Sequence, residues 1–286
     1  MNGKWIGLLL ALGFMGTQLM AQNRSESTWA DRLPYRSGDV VVISNVNGEV
    51  KVKGADIDEV LAKGEQTLHA KKSGGLELAQ SEVQIVMRRR ADTIFIFVDA
   101  PYLQSPMDPS KNRKNYGEWP KKYDFKIDFQ VVVPTNAHVV AKTDNSGDVY
   151  MENIKGITKG ININGDVEMV DVSTPVKAKT VNGNVEITLD RQPVESIDLK
   201  SVNGRLVVIG PENMDCEVSF KTRNGDLYTS YALSPISLSQ QAERSRPNGG
   251  TRYKIDGATA YKIGAGGPKI QLNTLNGDIV VKAYNR

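Results

Sequence analysis

A short turn that contains Asn-Gly recurs along this chain between segments of alternating apolar residues. The copy at residues 177–188 reads KAKTVNGNVEIT. From Gly147 to Gly225 the turn glycines are 18, 18, 21 and 21 residues apart, and the next copy follows 52 residues later. Self-similarity at such a period is typical of repeat architectures. The turn glycines are Gly48, Gly147, Gly165, Gly183, Gly204, Gly225 and Gly277.

Each copy has the pattern of two short strands. Apolar residues lie seven and five positions before the glycine and two and four after it, as in Ile197, Leu199, Leu206 and Val208 around Gly204. A period of two on each side of the turn predicts strands with one buried face. Three positions before the glycine, a small hydroxylated residue has the same inward parity, and its hydroxyl can satisfy a nearby backbone group. These residues are Thr180, Ser201, Thr222 and Thr274.

The geometry of a tight turn explains why Asn-Gly recurs in this sequence. Both residues tolerate a positive φ, which a tight turn between strands requires. Copies stacked about 4.8 Å apart would bury one continuous core, as in a solenoid. Antiparallel hairpins fit the same parity, because the inward positions of a two-residue loop are cross-strand neighbours. The pattern therefore predicts an all-β fold, either a β-helix-like solenoid built from Asn-Gly-turn repeats or an antiparallel β-sandwich.

The first 21 residues have the features of a secretory signal. Lys4 precedes an apolar run from Trp5 to Leu12, and Leu19-Met20-Ala21 is a small-residue cleavage pattern. The run is shorter than the roughly 20 apolar residues that a membrane-spanning helix needs. We expect cleavage after Ala21, export to the periplasm or the cell surface, and no transmembrane span in the mature chain.

The rest of the sequence is assigned to one domain preceded by a linker. We expect a linker at residues 22–38, an N-terminal β region at 39–135 and the β-repeat region at 136–286. The formal net charge of +3 indicates no field strong enough to attract nucleic acid. A single cysteine, Cys216, excludes an internal disulfide framework and is expected to be a buried apolar residue.

A long loop at residues 102–122 is the best candidate for a partner-binding segment. Loops longer than about 12 to 15 residues without structure of their own are usually functional or disordered. Its aromatic and basic side chains suit stacking on sugar rings or docking on an acidic protein surface. In the alternative interpretation the aromatic rings pack back on the sheet. The candidate binding residues are Tyr102, Lys114, Tyr116, Trp119, Lys121 and Tyr123.

An acidic residue directly follows several turn glycines, and stacked copies would align these carboxylates in a row. Facing carboxylates can bind calcium or act as acid and base on a glycan, which raises the alternative of a polysaccharide hydrolase or lyase. The simpler interpretation is a polar side chain that points to water after a turn. His69 and His138 lack neighbours at zinc-ligand spacing, so we expect no metal and no cofactor. The row comprises Asp148, Asp166, Asp226 and Asp278, with Asn184 and Arg205 at the same position in other copies.

The stretch IDFQVVVPTNAHVVAKTDNSGDVYMENIKG at residues 127–156 resembles the bacterial putative adhesin family of toastrack-type β-repeat domains. The matching features are Val-x-x-Pro at Val131–Pro134, the Gly-Asp-Val turn at Gly147 and the closing Gly-x-Gly-Gly at Gly264–Gly267. The resemblance covers residues 39–284. It implies a right-handed β-helix-like or stacked-sheet domain at the cell envelope, with no catalytic residues to carry over. The implied protein is a non-catalytic adhesin or scaffold whose partner is an envelope protein or a surface glycan.

The signal assignment predicts the N-terminus of the exported protein. Cleavage after Ala21 leaves Gln22 as the first residue. Mass spectrometry of protein purified from an envelope or secreted fraction should therefore find a peptide that begins at Gln22. Recovery of the intact segment Met1–Ala21 in that fraction would contradict the assignment.

Overall fold

The computed structural model of this chain describes residues 23–109, 117, 119–236, 243–245, 251–254 and 259–284. The predicted signal segment, residues 1–21, lies outside this part, and so do Lys114 and Tyr116 of the long loop. Nearly every element in the described part is a strand, so the all-β prediction is confirmed. The exception there is one helix, α1, at Gly75–Glu82.

The strands fall into two groups along the chain. Those up to the end of the long-loop region are β1 (Arg24–Pro34), β2 (Val40–Ser44), β3 (Val50–Ala55), β4 (Glu59–Ala70), β5 (Gln84–Arg90), β6 (Thr93–Asp99) and β7 (Tyr123–Pro134). The repeat strands are β8 (His138–Lys142), β9 (Val149–Glu152), β10 (Thr158–Ile161), β11 (Val167–Val172), β12 (Val176–Lys179), β13 (Val185–Leu189), β14 (Ile197–Lys200), β15 (Leu206–Gly210), β16 (Cys216–Lys221) and β17 (Leu227–Thr229). The last strands are β18 (Leu233–Pro235), β19 (Glu243–Ser245), β20 (Thr251–Lys254), β21 (Thr259–Ile263), β22 (Lys269–Asn273) and β23 (Ile279–Ala283).

These strands form two sheets that are packed face to face. Sheet A has 12 strands in the order β1-β4-β7-β3-β9-β11-β13-β15-β23-β17-β20-β19. Sheet B has 11 strands in the order β18-β21-β16-β22-β14-β12-β10-β8-β2-β6-β5. The inward side chains of both sheets form one continuous hydrophobic core, in which Ile187 of sheet A and Leu199 of sheet B are fully buried.

Each repeat copy contributes one strand to each sheet. In the Gly183 copy, β12 precedes the turn and lies in sheet B, whereas β13 follows it and lies in sheet A. β12 pairs in parallel with β10 and β14, and β13 pairs in parallel with β11 and β15. Parallel pairing between successive copies is the pattern of stacked turns, so the antiparallel-hairpin alternative does not apply to the repeats. Antiparallel pairs occur near the sheet ends, for example β1 with β4 and β5 with β6.

Glycine is required in the turns mainly because neighbouring copies stack closely, and less because of the conformation of the turn. A Cβ atom on Gly183 would lie 2.1 Å from the carbonyl oxygen of Gly165 in the neighbouring copy. Gly183 does not have a positive φ, whereas Gly48 has a φ of 115°. The predicted positive-φ turn is therefore wrong at Gly183, because glycine is needed there to let two backbones approach. A similar Cβ conflict with the neighbouring copy exists at Gly147, Gly204, Gly225 and Gly277.

The asparagines before these glycines form a continuous hydrogen-bonded ladder. Five of the six Nδ2 atoms donate to the Oδ1 of the asparagine in the adjacent copy, and the donor–acceptor distances run from 2.6 to 2.9 Å. Such a ladder gives each interior side-chain amide a partner for both its oxygen and its nitrogen. In stacking order, the ladder comprises Asn145, Asn164, Asn182, Asn203, Asn276 and Asn224.

The inward hydroxyls connect the copies in the same corner. Thr180 Oγ1 donates to the carbonyl oxygen of Gly165 at 2.8 Å, and Ser201 Oγ donates to that of Gly183 at 2.9 Å. The prediction that these hydroxyls satisfy backbone groups is confirmed. Every turn is thus tied to the next by side-chain hydrogen bonds as well as by the strand pairs.

The C-terminal repeat copy lies out of chain order. β22 pairs in parallel with both β14 and β16, and β23 pairs in parallel with both β15 and β17. The Gly277 copy is therefore inserted between the Gly204 and Gly225 copies. The 52-residue interval contains β18 to β21. β21 and β20 pair antiparallel with β16 and β17, and β18 and β19 pair antiparallel with β21 and β20.

The segment predicted as a linker contains an ordered edge strand. β1 pairs with β4 over 11 residues, from Arg24 opposite His69 to Pro34 opposite Glu59. Only Trp29 and Leu33 of this strand pack partly on the core. The strand was missed because its sequence, RSESTWADRLP, lacks the apolar alternation of a half-buried strand.

The stacking explanation predicts the effect of adding one methyl group. Gly183→Ala should lower the free energy of unfolding by about 1–3 kcal/mol, because the methyl group meets the Gly165 carbonyl. Gly74→Ala is the matched control, since Gly74 has a φ of 70° but nothing within 4 Å of its Cβ position. Its cost should be limited to the backbone strain of about 1–2 kcal/mol. Denaturant unfolding that ranks Gly74→Ala as clearly the worse variant would contradict the stacking explanation.

Candidate functional site

The long loop buries two of its candidate binding residues. Tyr102 is 5% exposed and Tyr123 is fully buried. The Tyr123 hydroxyl donates to Glu82 of α1 at 2.5 Å and lies 3.1 Å from the Tyr102 hydroxyl. Burial raises the pKa of Tyr102 to about 12 and raises that of Tyr123 further. Neither ring offers a face to a partner, because both close the end of the core.

Trp119 and Lys121 are the described loop candidates that contact solvent. The Trp119 ring is stacked on Phe125 of β7, with centroids 5.6 Å apart, and lies 5.3 Å from the Tyr102 ring. It nevertheless remains 38% exposed. Lys121 is exposed beside it in the chain. Packing of the loop aromatics on the sheet was the alternative interpretation, and it applies to Tyr102, Trp119 and Tyr123.

A shallow cavity adjoins Trp119 at the first turn of the asparagine ladder. Its volume is about 440 Å³, and its lining includes Asn47, Lys126 and Asn145 as well as Trp119. The Asn47 side chain donates to the carbonyl oxygen of Phe125 at 3.2 Å. Trp119 therefore lies beside the end of the ladder, next to several polar groups that line the cavity.

The carboxylates of the acidic row after the turn glycines accept backbone hydrogen bonds from the next copy. Asp148 Oδ1 accepts the backbone N–H of Asp166 at 2.7 Å, and Asp166 Oδ1 accepts that of Asn184 at 2.7 Å. Asn184 Oδ1 continues the series by accepting the N–H of Arg205 at 2.9 Å. An amide can thus replace the carboxylate in this position. Hydrogen bonding to the next turn explains the row better than acid–base chemistry.

A groove on the outer face of sheet A collects further acidic side chains. It has a volume of about 550 Å³ and is lined by Asp166, Glu168, Glu186, Arg205 and neighbouring residues. Glu168 and Glu186 lie directly opposite each other on β11 and β13. Burial and then the charges of Glu186, Asp148 and Asp166 raise the pKa of Glu168.

Sequence reasoning missed this pair of glutamates. Both occupy the position three residues after a turn glycine, where the period of two places side chains on the outer face. The signal was available, but only parallel pairing of β11 with β13 brings the two residues side by side. Within the described residues, no group of three or more His, Cys, Asp or Glu side chains could hold a metal ion.

The remaining candidate groups have structural contacts. His138 Nδ1 accepts the backbone N–H of Ile157 at 3.0 Å. Cys216 is buried, as predicted, and desolvation raises the pKa of its thiol to about 12. In the part of the chain that the structure covers, no helix is long and apolar enough to span a membrane.

The stacked Asn-Gly turns and their two-sheet core agree with a sequence match that covers most of the chain. Residues 12–282 match the family described as Toastrack DUF4097. The chain belongs to this family. The resemblance noted from residues 127–156 and from the closing glycines is thereby confirmed. In this toastrack domain the Gly-Asp-Val turn at Gly147 lies at a corner where neighbouring turns touch.

Two solved structures are similar to this chain at low sequence identity. One is a "putative cell adhesion protein" from Clostridium sporogenes, with 10% sequence identity and a TM-score of 0.39, and the match covers 90% of this chain and 100% of that one. Another is a "putative adhesin" from Bacteroides fragilis, with 10% identity and a TM-score of 0.31, and it covers 91% and 98% of the two chains. No curated protein matches this sequence significantly.

The hydrogen bonds of the acidic row predict different effects for two substitutions of one residue. Asp166→Ala should lower the free energy of unfolding by about 1 kcal/mol, because the Asn184 N–H loses its acceptor. Asp166→Asn should stay within about 0.5 kcal/mol of the parent, since its amide oxygen can accept the same bond. Chemical denaturation would measure both. Equal losses in the two variants would show that the carboxylate charge matters more than the hydrogen bond.

Proposed function

We propose that this toastrack domain is an exported, non-catalytic recognition or scaffold domain of the bacterial cell envelope. The observation that carries the proposal is the structural role of the acidic row. Its carboxylates accept backbone N–H groups of the next turn, as between Asp166 and Asn184. Groups held in this way stabilise the stack and are poorly placed to act on a substrate.

The architecture supports a recognition role through its shape. Two sheets of stacked strands are connected through one core and through the corner ladders, so their outer faces are fixed relative to each other. Sites on regular strands hold side chains more firmly than sites on loops. A long, ordered surface of this kind can present repeated contacts to an envelope protein or to a surface glycan.

The Trp119 region is the proposed contact for the loop. Tryptophan is enriched among residues that dominate binding energy, and its ring edge is exposed beside Lys121. Tyr102 and Tyr123 support this surface from below instead of contacting the partner. The secretory signal predicted at residues 1–21 is the support for export.

A glycan hydrolase is the second candidate function, and one observation favours it. Glu168 has a raised pKa and lies opposite Glu186, which is the arrangement of a general acid beside a second carboxylate. The candidate residues are therefore this pair and not the aspartates of the turn row. Arg205 in the same groove would bind an acidic sugar.

The two functions are separated by a turnover assay. We expect no release of reducing or unsaturated ends when the protein is incubated with envelope or plant polysaccharides. Turnover by the parent that is lost in Glu168→Gln/Glu186→Gln would establish the hydrolase and reject the non-catalytic proposal. The double variant should keep the fold, because both side chains lie on the outer face.

Recognition through the loop is tested by cosedimentation with isolated bacterial envelopes. We expect deletion of residues 104–118, and separately Trp119→Ala, to leave the melting temperature within a few degrees of the parent and to lower the bound fraction. Lys282→Ala, an exposed residue on β23, six strands from β7 in sheet A, is the control and should bind like the parent. Full retention of envelope binding by both folded loop variants would rule out the loop as the contact.

A further inference from the structure

The outer face of sheet B carries a band of lysines that folding does not require. Outward positions on β8, β10, β12, β14 and β16 contribute to it, and their register is fixed by the parallel pairs. Inward neighbours such as Ala178 and Leu199 account for the burial of these strands. The band comprises Lys142, Lys159, Lys177, Lys179, Lys200 and Lys221.

The arrangement places like charges directly opposite each other. Lys159 of β10 is paired in register with Lys177 of β12, and Lys179 of β12 is paired with Lys200 of β14. Like charges that face each other across neighbouring strands destabilise a sheet. The repulsion is not offset by any packing of the lysine head groups, since Lys177, Lys179 and Lys200 are exposed.

Two members of the band, Lys142 and Lys200, have acidic partners. Lys142 forms an ion pair with Asp144 at 3.0 Å, and Lys200 forms one with Asp198 at 2.8 Å. Asp198 also lies opposite Lys177 in the strand register, but its ion pair is with Lys200, through Oδ2. Among the described residues, Lys159, Lys177 and Lys179 have no ion-pair partner. The centre of the face is therefore positively charged.

The band is long and narrow. From Lys142 on β8 to Lys221 on β16 it crosses six strands, or about 24 Å at the usual strand spacing. The strands that carry it have two or three outward positions each. Asp198 and Glu217 are the acidic side chains in these rows, and the other side chains beside the lysines are neutral. Val140, Ile161, Gln271 and Ser219 are examples. A footprint of this shape fits an extended chain better than a broad surface.

We propose that the outer face of sheet B binds a linear acidic polysaccharide that runs along the stack, across the strands. Carboxylates of the polymer would lie between the facing lysines, and the aliphatic stems of the lysines with Ile161 would contact the sugar rings. The binding of regularly spaced anions removes the repulsion between Lys159 and Lys177. The inference rests on the proposed recognition function and names its partner class.

A second copy of this chain fits the band less well. The acidic groove of sheet A is one complementary surface, and Arg205 lies within it. Docking the lysine band on that groove would bring Arg205 against lysines, and like charges repel.

Binding of alginate, a linear polymer of uronic acids, tests the proposal. The full chain should bind alginate in low salt and should lose affinity as salt is raised, while neutral dextran should not bind. Lys159→Gln/Lys179→Gln removes one member of each facing pair, and we expect a loss of about tenfold in affinity. Its melting temperature should equal or exceed that of the parent, because the repulsion is relieved.

Lys53→Gln/Lys282→Gln is the matched control, since it removes the same charge from exposed positions of sheet A. It should bind alginate like the parent. Equal losses in the two double variants would show that only net charge matters and would overturn the proposal. So would binding to phosphatidylglycerol vesicles without binding to alginate, which indicates a membrane surface. Self-association in low salt that is lost in Lys159→Gln/Lys179→Gln, with no alginate binding, would indicate a second copy and would also overturn it.

The result is independent of the test of the proposed function. If alginate does not bind but isolated envelopes still do, the polysaccharide inference fails and the recognition function stands. If polysaccharide turnover is detected, the recognition function fails whatever the lysine variants do.

Discussion

Close backbone contact between neighbouring turns is the constraint on which the rest of this structure depends. At Gly183 the space for a Cβ is taken by the carbonyl oxygen of Gly165, and that oxygen also accepts the hydroxyl of Thr180. The asparagine ladder can form only because the backbones approach this closely. Glycine, asparagine and the small hydroxylated residue are therefore parts of one corner, and the core behind them is continuous because each corner fixes the position of the next strand.

The same close contact between turns determines which side chains are available to bind a partner. Polar groups in the corner are bonded to the neighbouring turn, as when Asp166 accepts the N–H of Asn184. The residues that folding leaves free lie on the outer faces of the sheets and on the loop that covers one end. Glu168 with Glu186 on one face and Lys159 with Lys177 on the other are like-charge pairs that weaken the stack. Because these pairs lower the stability of the fold, we infer that they are kept for binding.

The net charge of the chain does not reveal how the charged side chains are distributed over the two sheets. The net charge of +3 indicates no strong field for the chain as a whole. The strands, however, alternate inward and outward positions, so lysines gather on the outer face of sheet B and glutamates on that of sheet A. Two adjacent turns carry both groups, since β10 and β12 precede the turns that lead into β11 and β13.

The sequence by itself determined the short-range features: the repeated turn, the inward parity of residues such as Ile197 and Thr180, and the all-β class. These follow from periodicity, which is local. The tertiary structure alone decided which strands pair. The Gly277 copy lies between the Gly204 and Gly225 copies, and the expected linker contains strand β1. Tyr102 and Tyr123, which were expected to contact a partner, are buried. Every copy presents the same backbone hydrogen bonds and nearly the same buried face, so no strand specifies its neighbour by its own residues. That choice depends on contacts between residues far apart in the chain.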